Sequence, residues 1–236
     1  MALPKLNDVP KYELVVPSTG KTVSFRPFLV KEQKVLLMAL ESQDEKQVLN
    51  AIVNTITSCL YDNIKFDSLT TFDIEYLFTQ IRAKSVGENS TVNLKCMECE
   101  ELNEVVIPLD DIKVDMGNVD KIIKINDKFS IEMKYPKYSA ILLAPEDKQG
   151  DSFTEAIYEM AVMCLGYLVT EEERINFDDE PRESIDGFLE NLTANQFEQI
   201  MEFVNNIPKL THDVEYTCDK CNHDNKITLQ GIQDFF

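Results

Sequence analysis

An α+β fold made of two related helical halves, each closing in a β-hairpin with a two-cysteine knuckle, is predicted by three observations. Cys96-Met97-Glu98-Cys99 and Cys218-Asp219-Lys220-Cys221 stand 122 residues apart, each between strand-like runs. Leu37-Met38-Ala39-Leu40-Glu41 recurs as Leu142-Leu143-Ala144-Pro145-Glu146, and Ala51-Ile52 with Cys59-Leu60 recurs as Ala156-Ile157 with Cys164-Leu165, all at a shift of 105. Leu69-Thr70, followed by Ile74, Leu77 and Ile81, recurs at a shift of 123 as Leu192-Thr193, followed by Phe197, Ile200 and Val204. Between these matches the shift grows by 18, which places an insertion in the second half. A period this long belongs to a duplicated small domain rather than to a solenoid.

The elements follow in order. An arm punctuated by Pro4 and Pro10 leads into strands at 13–16 and 22–25, separated by Pro17-Ser18-Thr19-Gly20, a turn sequence. Apolar periodicity predicts helices at 31–41, 44–61 and 71–84, the last capped by Thr70 or Ser68. The first knuckle hairpin covers 91–109, and 111–127 reads as an extended connection. Alternation at 129–133 marks a strand, the counterpart of the first hairpin's second strand. Helices resume at 137–143, 152–169, 182–191 and 194–206, and the second knuckle hairpin covers 213–229. Val92 and Val214 stand four residues before each first cysteine, and Asn103 and Asn225 four after each second one. The predicted organisation is an arm and hairpin at 1–30, a first half at 31–110 carrying Cys96 and Cys99, a connection at 111–127, and a second half at 128–236. The second half carries Cys218 and Cys221 and an acidic insertion at 171–190.

Composition narrows the function. A chain of 236 residues with 44% hydrophobic and 28% charged residues has the makeup of a globular protein. A formal charge of −19 works against phosphate backbones, whose binding rests on lysine and arginine releasing counterions, so nucleic acid is not an expected partner. The first ten residues contain two prolines and no apolar core, which excludes a signal peptide and places the chain in the cytoplasm where it is made. The longest apolar run, 161–169, has nine residues, against about 20 for a bilayer span.

One structural zinc ion, held by Cys96, Cys99, Cys218 and Cys221, is the chemistry the residues point to. Zinc takes four tetrahedral thiolates, and two residues between cysteines let one turn aim both sulfurs at one ion. The separation between the pairs far exceeds the usual spacing; the repeat accounts for it by bringing the knuckles face to face as one pseudo-twofold zinc ribbon. Four free buried cysteines are the plain alternative. A thioredoxin-like role would need a helix after the cysteine pair, and strands flank both pairs here.

Other candidates reduce to structure. Cys59 and Cys164 read as small core residues. His223 reads as a turn residue beside a shell already filled. Ser18-Thr19-Gly20-Lys21-Thr22 ends like a phosphate loop, but Val15 stands where its first glycine belongs and a strand follows. Asp178, Asp179 and Glu180 lack the alternation of a calcium loop. The stretch 171–190 has nine acids against Arg174 and Arg182, and reads as a surface excursion open to a basic partner. Arg26-Pro27-Phe28-Leu29 suits either a docking surface or the start of a core, and Arg82 and Lys84 complement a helix dipole.

Pro4-Lys5-Leu6, Pro17-Ser18-Thr19-Gly20-Lys21, Arg26-Pro27-Phe28-Leu29-Val30-Lys31-Glu32, Leu36-Leu37-Met38-Ala39-Leu40-Glu41, Phe72-Asp73-Ile74-Glu75-Tyr76 and Ile81-Arg82-Ala83-Lys84-Ser85-Val86-Gly87-Glu88, with the first knuckle after them, resemble the baseplate hub assembly proteins of T4-like contractile-tailed phages. The resemblance is dense over residues 3–110 and rests on the last knuckle and the length beyond them. It implies a non-enzymatic late viral protein that acts in the host bacterial cytoplasm on other baseplate hub proteins. It supplies no catalytic residues. A helper that leaves, with the cytoplasm as its place, and a permanent subunit of the virion tail baseplate both remain open. A zinc-ribbon nucleic-acid-binding regulator is the third class, opposed by the single basic residue Lys95 in 91–109 and the two, Lys220 and Lys226, in 213–229.

Overall fold

Alternating apolar and polar residues on either side of the Ser18-Thr19-Gly20 turn form strands β1 (Tyr12–Val15) and β2 (Thr22–Phe25) of an antiparallel hairpin. The computed structural model describes residues 9–117, 120–143 and 153–235. Most of the predicted arm, part of the 111–127 connection and the Ala144-Pro145-Glu146 end of the repeat match lie outside the described residues. Helices α1 (Val30–Ser42), α2 (Glu45–Cys59) and α3 (Thr71–Val86) follow, each near its predicted place. Asp44 caps α2 by accepting from the Gln47 amide at 3.1 Å.

At the start of α3, Thr70 and Asp73 form a capping box. The Asp73 side chain is fully buried and accepts from the amides of Thr70 and Ser18, both at 2.9 Å, and from both hydroxyls. One carboxylate therefore starts a helix and pins the β1–β2 turn, so the loop that mimicked a phosphate site is a structural anchor. Arg26 points inward as well. Its guanidinium reaches Glu32 at 2.9 Å and the carbonyls of Ser58 and Pro27 at 2.8 and 2.9 Å. Of the two readings of Arg26-Pro27-Phe28-Leu29, its cation belongs to the packing one.

After α3 come β3 (Asn89–Lys95), β4 (Leu102–Pro108) and β5 (Lys113–Asp115), so part of the 111–127 segment is strand. Lys84 near the end of α3 binds Glu88 and Asp110 rather than facing solvent alone.

A second body spans residues 116–208. It contains β6 (Ile122–Lys124), β7 (Ser130–Met133), α4 (Tyr138–Leu143), α5 (Phe153–Cys164), β8 (Leu165–Val169), β9 (Arg174–Asn176), α6 (Arg182–Glu190) and α7 (Ala194–Asn205). The strands form one antiparallel sheet in the order β6-β7-β8-β9. Ile123, Ile131, Met133 and Leu165 pack with Ala161, Cys164, Phe177, Ile185, Leu189, Ile200 and Phe203. The helix predicted at 152–169 thus ends at Cys164, and its last five residues are a strand. A short apolar run does not distinguish a buried helix from a buried strand by periodicity. The close approach at Gly166 shows what the strand requires: a Cβ there would stand 2.5 Å from the Glu132 carbonyl oxygen.

The acidic stretch 171–190 is likewise not a free excursion. It supplies edge strand β9 and buries Phe177, Ile185 and Leu189, while Asp178, Asp179 and Glu180 stay exposed. Asp178 pairs with Lys134, and Arg182 bridges Glu159 and Asp186.

The chain ends in β10 (Lys209–Thr217) and β11 (Asp224–Gln230). These join the first body, which comprises residues 1–115 and 209–236. The compact units therefore run across the halves drawn from sequence likeness. The reason is packing: β10 pairs with both β11 and β5, and Val92, Ile107 and Leu109 share one core with Leu210, Val214, Leu229 and Phe235.

Phe177→Ala should destabilise the second body by about 3–5 kcal/mol, because it removes a buried ring from a core formed partly by the acidic stretch. Exposed Glu172→Ala should stay within about 0.5 kcal/mol. Urea unfolding of the two variants distinguishes a built-in segment from a dispensable loop, for which both would be near neutral.

Candidate metal centre

Each hairpin brings its cysteines together through the same backbone turn. In the β3–β4 hairpin the Cys96 amide donates to the Glu101 carbonyl at 2.9 Å and the Glu100 amide to the Cys96 carbonyl at 3.0 Å. In the β10–β11 hairpin the Cys218 amide donates to the His223 carbonyl, and the Asn222 amide to the Cys218 carbonyl, both at 2.9 Å. Glu100 and Asn222 both take the left-handed conformation, at φ 59° and 58°. That conformation lets two residues separate the cysteines while both thiols face one side, and asparagine accepts it more readily than glutamate.

Across the hairpins the thiols interleave. Cys96 Sγ lies 3.6 Å from Cys221 Sγ, and Cys99 Sγ lies 3.6 Å from Cys218 Sγ. All four sulfurs lie within 4.8 Å of one another, close enough for one metal ion to touch them all. Among the described residues this is the one group of three or more His, Cys, Asp and Glu side chains drawn so close. The four residues singled out in the sequence are thus brought to one point. Cys96 and Cys218 are buried and Cys221 is exposed. His223 is exposed and contributes its carbonyl, not its ring, to the turn.

Two asparagines lock the arrangement. Asn225 Oδ1 accepts from the Met97 amide at 2.9 Å, and Asn103 Oδ1 accepts from the Asp219 amide at 3.0 Å. Their Nδ2 groups donate to the carbonyls of His223 and Glu101 in their own turns, at 3.0 and 2.9 Å. Each buried amide therefore ties its own turn to the opposite knuckle. Asn225 Nδ2 also reaches Cys96 Sγ at 3.6 Å. Sequence reasoning noted these asparagines only as matched positions. Their signal was the recurrence four residues after each second cysteine, in strands where asparagine is otherwise disfavoured. Tyr216 adds a bond from its hydroxyl to the Lys95 carbonyl at 2.9 Å, and Lys220 pairs with Glu101.

The thiol acidities split within the cluster. Burial pushes Cys96 up, but the amides of Cys99 and Glu98, the Asn225 side chain and the Cys221 thiol outweigh it and hold it at about 6. Cys218 is lowered, chiefly by the Cys221 amide. At Cys221 the His223 amide pulls down, but lost hydration and the three neighbouring sulfurs prevail and push the thiol up to about 12. Cys99 is raised as well: the Glu101 amide lowers it, and lost hydration with Cys218 and Cys96 overcomes that. Like charges this close disfavour one another, and only a cation makes four thiolates compatible. By contrast Cys59 and Cys164 lie outside the cluster, and burial raises them to about 11 and 12.

Residues 9–236 match the family described as T4 bacteriophage base plate protein, which is essentially the whole chain. The chain belongs to that base plate family. No curated protein matches it, and no solved structure does. The family is a structural one and places the protein with the components of the phage tail baseplate, which are its implied partners. Among the described residues no helix is long and apolar enough to cross a membrane.

Asn103→Ala and Asn225→Ala should each lower metal affinity by about 10- to 100-fold, as loss of groups that orient ligands does. Chelator competition measures it, with far-UV circular dichroism as the check that the helices persist. Unchanged affinity in both variants would show that the thiols need no such support.

Proposed function

We propose that this base plate protein is a non-enzymatic hub assembly factor, a zinc-stabilised scaffold that binds other hub proteins of the tail in the host bacterial cytoplasm. The family match over residues 9–236 carries the reading. The interleaved thiols support the scaffold part of it. Tetrahedral zinc with Zn–S bonds of about 2.3 Å needs sulfurs about 3.8 Å apart, and the cross-hairpin pairs stand at 3.6 Å. Cys96, Cys99, Cys218 and Cys221 would hold the ion, which closes the shell and leaves no position for substrate. Zinc there would join two hairpins distant in the chain and supply rigidity rather than chemistry.

Four hydrogen bonds of each knuckle have a counterpart in the other, two between backbone groups of the turn and two made by the asparagine. This supports the pseudo-twofold zinc ribbon and descent of the two halves from one ancestor. A permanent place in the virion baseplate is the second reading, favoured by the family's description. A nucleic-acid role is not favoured: Lys220 and Lys226 of the second hairpin are both engaged by carboxylates, those of Glu101 and Glu215.

Purified chain should contain one zinc, lost when Cys96 and Cys99, or Cys218 and Cys221, become serine. Two ions per chain, or none under metal-replete expression, would sink the shared site. In infected cells lacking the protein, heads should form while baseplates and complete tails do not. Complete contractile tails in its absence would refute an essential assembly role, and mass spectrometry of purified virions separates a departing factor from a resident subunit.

A further inference from the structure

Helix α1 presents a stripe that nothing among the described residues covers. It packs on α2 and buries Glu32 and Ala39. Val35 and Met38 are exposed on one flank, while at 100° per residue Val30 and Leu37 stand opposite the buried face and Leu40 on the other flank, at 79%, 53% and 59% exposure. Val30, Gln33, Leu37 and Leu40 occupy spacings of three, four and three residues, the a and d positions of a two-stranded coiled coil. A seam of that spacing accepts another helix along its length.

The charges beside the seam select the occupant. Lys34 and Glu41, both exposed, stand seven residues apart on the same flank and have opposite signs. In a parallel copy this flank of one helix faces the other flank of its partner, so Lys34 and Glu41 would stand beside Leu29 and Leu36 with no opposite charge to meet. An antiparallel copy about a twofold axis sets Lys34 of each chain beside Glu41 of the other, satisfying both pairs at once. Net charge favours the same place. The chain carries −19, so a second copy is repelled over most of its surface. On α1, Glu32 is buried against Arg26, which leaves Lys31, Lys34 and Glu41 as its exposed charges.

The geometry points to α1 as a self-association surface on which a second copy of this chain docks, helix antiparallel to helix. It is independent of the metal centre and of the assembly reading. Sedimentation equilibrium of the full chain tests it. The wild type should be a dimer, and Leu37→Lys combined with Leu40→Lys should be a monomer with unchanged zinc content. Lys34→Glu alone should weaken the dimer roughly tenfold by placing like charges together, and adding Glu41→Lys should restore it by exchanging the pair. A wild type that stays monomeric up to about 0.1 mM, the weak end of specific association, would overturn the proposal. So would a dimer that ignores the leucine variants, or a charge swap that fails to restore what Lys34→Glu loses. If the chain is monomeric and the leucine variant fails only to rescue tail assembly, the stripe belongs to another tail protein.

Discussion

The first body depends on the junction of two hairpins that the chain reaches far apart. Cys96, Cys99, Cys218 and Cys221 converge there, and Asn103 and Asn225 exchange hydrogen bonds across it. Without the junction, β10 and β11 would be held to the first body by strand pairing only through the short β5. With it, Val214 and Leu229 join Val92 and Ile107 in one core. Closing a loop of about a hundred residues costs on the order of 4 kcal/mol, and length adds to that cost only slowly. A whole second body can therefore be carried between the hairpins at little further expense, and residues 116–208 form one with its own core.

Buried polar groups elsewhere follow the same economy of partners. Asp73 satisfies a helix start and a strand turn with one carboxylate, and Arg26 satisfies Glu32 while holding the end of α2 through the Ser58 carbonyl. Losing one partner in such a set leaves the other buried and unpaired, which costs more than the bond itself contributed. The exposed ion pairs, such as Lys124 with Asp127, contribute little by comparison. The acidic balance of the chain thus bears on what approaches it more than on what holds it together.

A structural base plate family, a cluster of four thiols and an exposed apolar stripe on α1 support the proposed reading of a scaffold for other tail proteins. The seam and the metal centre lie on different elements of the first body, α1 and the paired hairpins.

The cysteine spacing, the helix starts and the capping residues were legible in the sequence because each is a short-range pattern. Thr70 announces a helix within a few residues of itself, and two residues between cysteines already imply a knuckle. What the sequence did not settle depended on neighbours chosen by packing. Leu165–Val169 reads as a continuing helix until β7 and β9 are present on either side to take its hydrogen bonds. Lys113–Asp115 is only an extended connection until β10 pairs with it. Phe177 looked like part of an acidic excursion, because charge is read residue by residue while burial is decided by the sheet beside it. The sequence by itself determined which four cysteines would meet in the thiol cluster. Only the tertiary structure decided which body each hairpin joins and which side chains hold the sulfurs in place, since those follow from contacts between segments about 120 residues apart.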